Sequence, residues 1–358
     1  MNYIGSKLSI LDYIENTIQD FIGIEYKDKD ITFCDIFAGT SSVGKYFKNK
    51  GYNIISNDIE YYSYVNAKHY IENNKEISFG KLKQNGIQNV FEYLNNLNDK
   101  KGFIYQNYTI TGTKNQEYER KYFTEENALK IDSIRSKIEE WKNKNLIEEN
   151  EYFYLITCLL EASDKVANTA SVYEAFLKTI KKSASRTLEL KPLEVLINSP
   201  EKKYLVKNMD ANQLVKEVSG DILYMDPPYN TRKYDTNYHI LETIALYDNP
   251  KIKGKTGVRE ETKKRSKYCM KREVESTFED LIKNADFKYI FLSYNDEGII
   301  PLNRIKEIMS KYGEYKVYEQ KHKRFKADNN RKYLKDSTIE YIHCLKKCDK
   351  FVGKICIF

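Results

Sequence analysis

The stretch "ITFCDIFAGTSSVG", residues 31–44, decides the fold. Its first seven residues are apolar and rich in β-formers, and the run breaks at Gly39. "VGKYFKNK" (43–50) then reads as a helix. A strand that turns through glycine into a helix opens a parallel βα unit. Six further stretches read as strands: "YNIISND" (52–58), "KYLVKNMD" (203–210), "DILYMDP" (221–227), "YIFLSYN" (289–295), "YKVYEQK" (315–321) and "TIEYIHCL" (338–345). Helical patterns fall between the first five strands, including "REVESTFEDLIKNA" before the fifth, with "LNRIKEIMSKYG" after it. The last two strands are joined by a loop without a helix. The reading is an α/β fold, an open doubly wound sheet with an antiparallel hairpin at one edge.

Residues 76–200 break this rhythm. Thr124 is a plausible N-cap, and Ala128, Ile131, Ile134, Ile138 and Trp141 follow on one helical face. A second helical run begins at "EYFYLITCLLEASDK" (151–165). The segment reads as an inserted, mostly helical module, with 1–75 and 201–358 forming the two parts of the sheet domain.

With 358 residues and a hydrophobic fraction of 41%, the chain can build a sizeable core. No segment approaches eighteen consecutive apolar residues, and "MNYIGSKLSIL" lacks the apolar core of a signal peptide. The six cysteines form no CxxC pair and there are only four histidines, so no metal site is expected and a reduced, cytoplasmic setting fits best. The formal charge of +7 is unevenly spread. Lys251 to Arg272 holds ten Lys and Arg against two Glu, and "KHKRFKADNNRK" (321–332) holds six against one Asp. Tyr268, Phe325 and Tyr333 lie in or beside these runs. Solvated surface is the plain reading of such runs, and cations concentrated with aromatics are also the footprint of a phosphate-backbone surface.

In an open parallel sheet, ligands sit beyond the carboxyl ends of the strands, at the point where the strand order reverses. The first strand ends there with Asp35 and Gly39, and the second with Asn57 and Asp58, an acid placed to accept hydrogen bonds from a ribose diol. The spacing from Gly39 to Gly44 does not match GxGxxG, which disfavours a nicotinamide dehydrogenase and favours a nucleoside without a pyrophosphate. The fourth strand ends in "DILYMDPPYN" (221–230). Two prolines there donate no hydrogen bond and leave carbonyls free, beside an acid and an aromatic ring. That arrangement accepts hydrogen bonds from a group lying against the ring.

These motifs together resemble the Dam-like alpha group of N6-adenine DNA methyltransferases, including the modification methylases of FokI type. "NYIGSK" (2–7) is similar to the group's leading cofactor motif, "DIFAGTSSVG" to its S-adenosylmethionine loop, "NDIE" (57–60) to the acid after the second strand, and "DPPY" (226–229) to its catalytic tetrapeptide. The resemblance covers most of the chain. It implies a Rossmann-like seven-stranded methyltransferase sheet, with the helical insertion as the target-recognition region.

It also implies roles for individual residues. Tyr3, Gly5 and Lys7 would line the cofactor; Asp35, Phe37, Ala38, Gly39 and Thr40 would form the loop beneath its methionine. Asp58 would hold the ribose, with Ile59 beside it, and Asp210 would lie near the adenine ring. Asp226 and the Pro227 carbonyl would hydrogen-bond the target amine, Pro228 would stiffen the turn, and Tyr229 would stack on the flipped base; Asp226 would also face the cofactor. Arg232, Tyr234, Tyr238 and His239 would shape the DNA pocket. Lys264, Arg265, Lys267, Arg324, Lys326 and Arg331 would contact phosphates. Within "NTASVYEAFLKTIKKSASR" (168–186), Asn168, Tyr173 and Lys178 are assigned to DNA.

The implied reaction needs S-adenosylmethionine and double-stranded DNA, no metal and no membrane, and fits a monomer working beside a cognate restriction endonuclease. The chain departs from the group at Ser41, where a second glycine is usual. The competing readings are an RNA or protein methyltransferase of the same fold and a catalytically silent DNA-binding module.

Overall fold

The computed structural model describes residues 7–23, 30–230, 234–260, 266–323 and 337–348. Among these the strands are, in chain order, β1 (Thr32–Asp35), β2 (Asn53–Asn57), β3 (Tyr204–Lys207), β4 (Ser219–Met225), β5 (Ile252–Lys253), β6 (Val258–Arg259), β7 (Asp286–Asn295), β8 (Gly313–Lys323) and β9 (Ser337–Lys347). The chain divides into two compact units, each with its own core.

The first unit comprises the described residues of Ser6–Ile59, Asn198–Lys233 and Lys263–Phe358. Its seven strands run in the order β3-β2-β1-β4-β7-β9-β8. The first five are parallel, and β9 is antiparallel to both neighbours. All seven expected strands are present, with the expected edge hairpin. Cys34 on β1 stands level with Ile55 on β2 and Leu223 on β4. The chain winds outward from β1 to β3, then returns to the other side of β1 as β4. The reversal therefore lies between β1 and β4, and parallel strands put Asp35, Asn57 and Asp226 along one edge.

Both faces of this sheet are covered, which is why its central strands are nearly continuous apolar runs. On one face Cys34, Leu223, Met225, Ile290 and Leu292 pack with Phe278, Leu281, Ile305 and Met309 of the helices Val274–Asn284 and Leu302–Ser310. On the other, Phe33 stacks on Phe47 with centroids 4.2 Å apart, and Phe21 of the helix Leu11–Ile22 meets Phe291 edge-on at 5.8 Å. Burying side chains of this size stabilises the fold by roughly 1.5–3 kcal/mol each.

The second unit comprises the described residues of Glu60–Ile197 and Tyr234–Thr262 and is mostly helical. Thr124 accepts the Asn127 N–H at 3.3 Å and starts the helix Glu125–Asn143. Its expected stripe from Ala128 to Trp141 is buried. The helix Glu149–Lys165 is buried on nearly all sides, and its start is fixed by a capping box between Glu148 and Glu151. The helix His239–Leu246 lies in the same core, although it follows the Asp226 motif directly in sequence. Two buried charges hold it there. Arg135 donates from Nε and Nη2 to the Ile244 and Ala245 carbonyls, at 3.0 and 3.1 Å. Glu242 accepts the Tyr61 and Tyr62 N–H groups, capping the helix Tyr61–Ala67. The compact unit thus includes 234–262, which the sequence reading grouped with 201–358.

The β5–β6 hairpin is fastened to this unit from beneath. Arg120, almost fully buried, donates to the Gly254 and Lys255 carbonyls at 3.0 and 3.2 Å. Tyr108 Oη donates to the Gly257 carbonyl, and Arg259 makes a two-pronged ion pair with Asp248. Gly257 has φ of +65°, and a Cβ there would meet Arg120 at 2.7 Å, so the turn requires glycine. No helix among the described residues is long and apolar enough to cross a membrane.

Candidate active site

The loop after β1 is shaped by two left-handed residues, Gly39 at φ +51° and Ser41 at φ +61°, which turn the chain into the helix Ser42–Asn49. Asp58 reaches across from the end of β2 to accept the Gly39 N–H at 2.7 Å. Asn57, buried beside it, donates to the Ile36 and Met209 carbonyls and accepts the Met209 N–H. It stitches the loops after β1 and β3 to the end of β2. Asp35 is fully buried and accepts the Gly44 N–H at 3.2 Å. Burial, with Asp226 and Asp58 adding their charge, pushes its carboxyl up to about 8 against the opposing Gly44 bond. The Asp58 and Asp226 carboxylates, with Asp35 held largely as the neutral acid, therefore gather where the strand order reverses.

Asp226 follows β4 directly, its side chain about one-fifth exposed. Lys7 Nζ lies 3.2 Å from its Oδ1 and 2.7 Å from Oε1 of Glu340 on β9. Ser293 on β7 donates to the same Glu340 oxygen at 2.5 Å. Burial raises the Asp226 carboxyl and Lys7 opposes it, while Glu340 raises it further; the outcome is about 6. Burial alone would lower the Lys7 ammonium, but Asp226 and Glu340 outweigh it and hold the lysine above its ordinary range. Pro227 is buried, and the Tyr229 carbonyl accepts the Ile299 N–H at 2.9 Å, tying the tetrapeptide to the loop after β7.

The remaining expected cofactor residues surround the same edge. Phe37 meets Tyr268 edge-on at 5.0 Å, Ala38 is buried, Thr40 and Ser42 share a hydroxyl contact at 2.7 Å, and Ile59 exposes 39% of its surface. Asp210 is exposed and caps the short helix Ala211–Leu214 through the Asn212 and Gln213 N–H groups. Tyr3 and Gly5 lie outside the described residues.

Of the expected DNA contacts, Lys178 and Lys267 are exposed. Arg232, Lys264, Arg265, Arg324, Lys326 and Arg331 lie outside the described residues, and Tyr234 belongs to the short helix Tyr234–Asn237. Four others are buried and occupied by their own unit. Asn168 donates to the Lys121 and Leu177 carbonyls and accepts the Lys181 N–H. Tyr173 donates to Asp164 at 3.0 Å, and its carbonyl accepts from Tyr122 Oη and pairs with His239 Nε2. Tyr238 is 1% exposed and packs on Tyr62. Burial drives the His239 imidazole down to about 4, against its Tyr173 bond, so it is neutral. All four side chains are buried, and Tyr173 fastens its segment to the start of the helix His239–Leu246 through His239 and the Asn237 carbonyl.

Sequence reading missed Glu340 and Ser293. The one available signal was a charged residue at an inward position of an otherwise apolar strand, "TIEYIHCL". Asn57 was noted as a strand end without its stitching role.

A family model described as D12 class N6 adenine-specific DNA methyltransferase matches residues 3–308. The chain is 49% identical over 350 residues to the type II methyltransferase M.NlaIII of Neisseria lactamica, covering 97% of this chain and 99% of that protein. It is 41% identical over 354 residues to the type II methyltransferase M.FokI of Planomicrobium okeanokoites, where it spans 53% of the longer relative. The type II methyltransferase M.CviAII of Paramecium bursaria Chlorella virus 1 is 36% identical over 333 residues, covering 91% of this chain and 93% of that protein.

Proposed function

Because the chain belongs to the D12 class N6 adenine-specific DNA methyltransferases, we propose that Asp226, Pro227 and Tyr229 hold a flipped-out adenine beside S-adenosylmethionine seated over the Gly39 loop. The Asp58 and Asp226 carboxylates at the reversal point carry this reading. Their charge suits a sulfonium cation, half-exposed Asp58 suits a ribose diol, and exposed Ile59 offers an apolar face to an adenine ring. The residues present therefore fit the cofactor. When bound, S-adenosylmethionine supplies a methyl group already activated on sulfur.

The chain's own groups do the rest. The exocyclic amine of adenine is a weak nucleophile because its lone pair is delocalised into the ring. Hydrogen bonds from the amine to Asp226 and to the Pro227 carbonyl localise that pair on nitrogen. Lys7 engages Asp226 Oδ1, so Oδ2 is the oxygen assigned to the amine. Tyr229 stacks on the base, and holding nitrogen and methyl in line supplies much of the rate.

The sheet unit is the catalytic part in this reading and the helical insertion the target-recognition part. Exposed Lys178 and Lys267, with the basic residues of 251–272 and 321–332, contact phosphates and position the duplex. The enzyme acts as a cytoplasmic monomer, the modification partner of a cognate restriction endonuclease. Its type II relatives support that setting.

The test is transfer of labelled methyl from S-adenosylmethionine to unmethylated genomic DNA, followed by nucleoside analysis and mapping. N6-methyladenine confined to one short motif is expected. Label in RNA or protein, or none anywhere, overturns the reading.

A further inference from the structure

Lys7 is shared between two carboxylates, and it lies closer to the one that is not in the tetrapeptide: 2.7 Å to Glu340 against 3.2 Å to Asp226. Glu340 is 8% exposed, on a strand two positions away from β4 in the sheet. It stands level with Asn295 on β7, while Ser293 stands level with Ile342. Ser293 Oγ donates to the Glu340 oxygen that also receives Lys7. A buried acid is costly unless paired and hydrogen-bonded, so a second one here needs a reason. If Lys7 served only to neutralise Asp226, Glu340 would be a liability.

The two acids outnumber the one cation. Tyr224 on β4 lies beside the group, and Asp35 at the end of β1, raised to about 8, brings no compensating cation. Asp226 is thus left incompletely compensated. During transfer, the adenine nitrogen forms its bond to methyl while the sulfur–methyl electron pair stays on sulfur, and the nitrogen sheds a proton. An Asp226 clamped in a tight pair with Lys7 is a weaker acceptor for that proton.

We propose that Glu340, oriented by Ser293, is a positioning residue that draws Lys7 toward β9 and so keeps Asp226 basic enough to accept the proton from the adenine amine. Glu340 touches neither substrate; it acts through Lys7. The proposal rests on the reading of Asp226 as the amine's acceptor.

The experiment compares the pH profile of single-turnover methylation for wild type, Glu340→Gln and Ser293→Ala, at saturating S-adenosylmethionine and DNA. With Glu340 neutral, Lys7 pairs more closely with Asp226. The acid limb in Glu340→Gln should move down by about one pH unit and the plateau fall about three- to tenfold. Ser293→Ala should move the limb in the same direction by less, and it leaves the buried ion pair in place should Glu340→Gln fold poorly. A uniform loss of rate with unmoved limbs in both variants overturns the proposal, as does wild-type behaviour in both. Asp226→Ala in the same assay separates the two levels. Retained turnover there sinks the Asp226 reading itself, whereas a dead Asp226→Ala with unmoved limbs sinks only the role of Glu340.

Discussion

Ser41 occupies a left-handed backbone position at φ +61°, buried, its hydroxyl without a hydrogen-bond partner among the described residues. A side chain there costs roughly 1–2 kcal/mol, which glycine would not incur, offset in part by the greater freedom of glycine in the unfolded chain. Ser41→Gly should therefore stabilise the protein by about 0.5–1 kcal/mol, raising the midpoint of thermal unfolding by a few degrees. An unchanged or lowered midpoint would show that the loop is not strained there. At Asp226, alanine should abolish turnover while S-adenosylmethionine and DNA still bind, measured by calorimetry and gel shift. Since its carboxyl sits at about 6, wild-type turnover should fall as pH drops through that value and the acceptor is protonated. The acids that end strands were legible in sequence because an apolar run stopping on a carboxylate is unusual. Glu340 was not, because its partner Lys7 lies 333 residues away.

Helices and strands were readable where periodicity was clean, as in the seven strands and the 128–141 stripe. The helix His239–Leu246 was harder, since seven of its eight residues are buried and no polar face marks its orientation. Its nearness to Asp226 in sequence drew Tyr238 and His239 toward the chemistry, while long-range bonds to Arg135 and Tyr173 hold it in the helical unit's core. The β5–β6 hairpin shows the same dependence on distant partners. Arg120→Ala removes the donors to the Gly254 and Lys255 carbonyls and should cost about 2–3 kcal/mol. Hydrogen exchange should quicken at the hairpin amides first; unchanged exchange there would refute the anchoring. Lys251, Lys253 and Lys255 are exposed on that rigid support. Neutralising Lys253 and Lys255 together should reduce the salt dependence of DNA binding by about two units of slope, without changing sequence preference.

At the scale of the molecule, the helical unit is not one continuous piece of chain. Its core draws on Glu60–Ile197 and on Tyr234–Thr262, with the sheet unit's β3, β4 and the Asp226–Tyr229 stretch between them in sequence. A fragment of residues 60–197 alone lacks the Ile244 and Ala245 carbonyls that accept from buried Arg135, and the Glu242 carboxylate that caps the helix Tyr61–Ala67. Arg135 keeps its ion pair with Glu139 but loses two buried acceptors, and the helix His239–Leu246 is removed from the core, so that fragment should not unfold cooperatively, as followed by near-ultraviolet circular dichroism. A sharp transition would mean that the second segment is dispensable. The insertion was legible as an interruption of the βα rhythm; its second segment was not, because only packing reveals it.

This discontinuity bears on how the helical unit can be exchanged between genes. A crossover that exchanged only the 60–197 stretch between two relatives would set foreign residues against the resident helix His239–Leu246, mismatching the core packed around Ile240, Leu241 and Ile244. Viable chimaeras should need both segments from the same parent. Substitutions on the two sides of the Asp226–Tyr229 stretch are therefore expected to travel as a pair, although a separate unit of the fold lies between them.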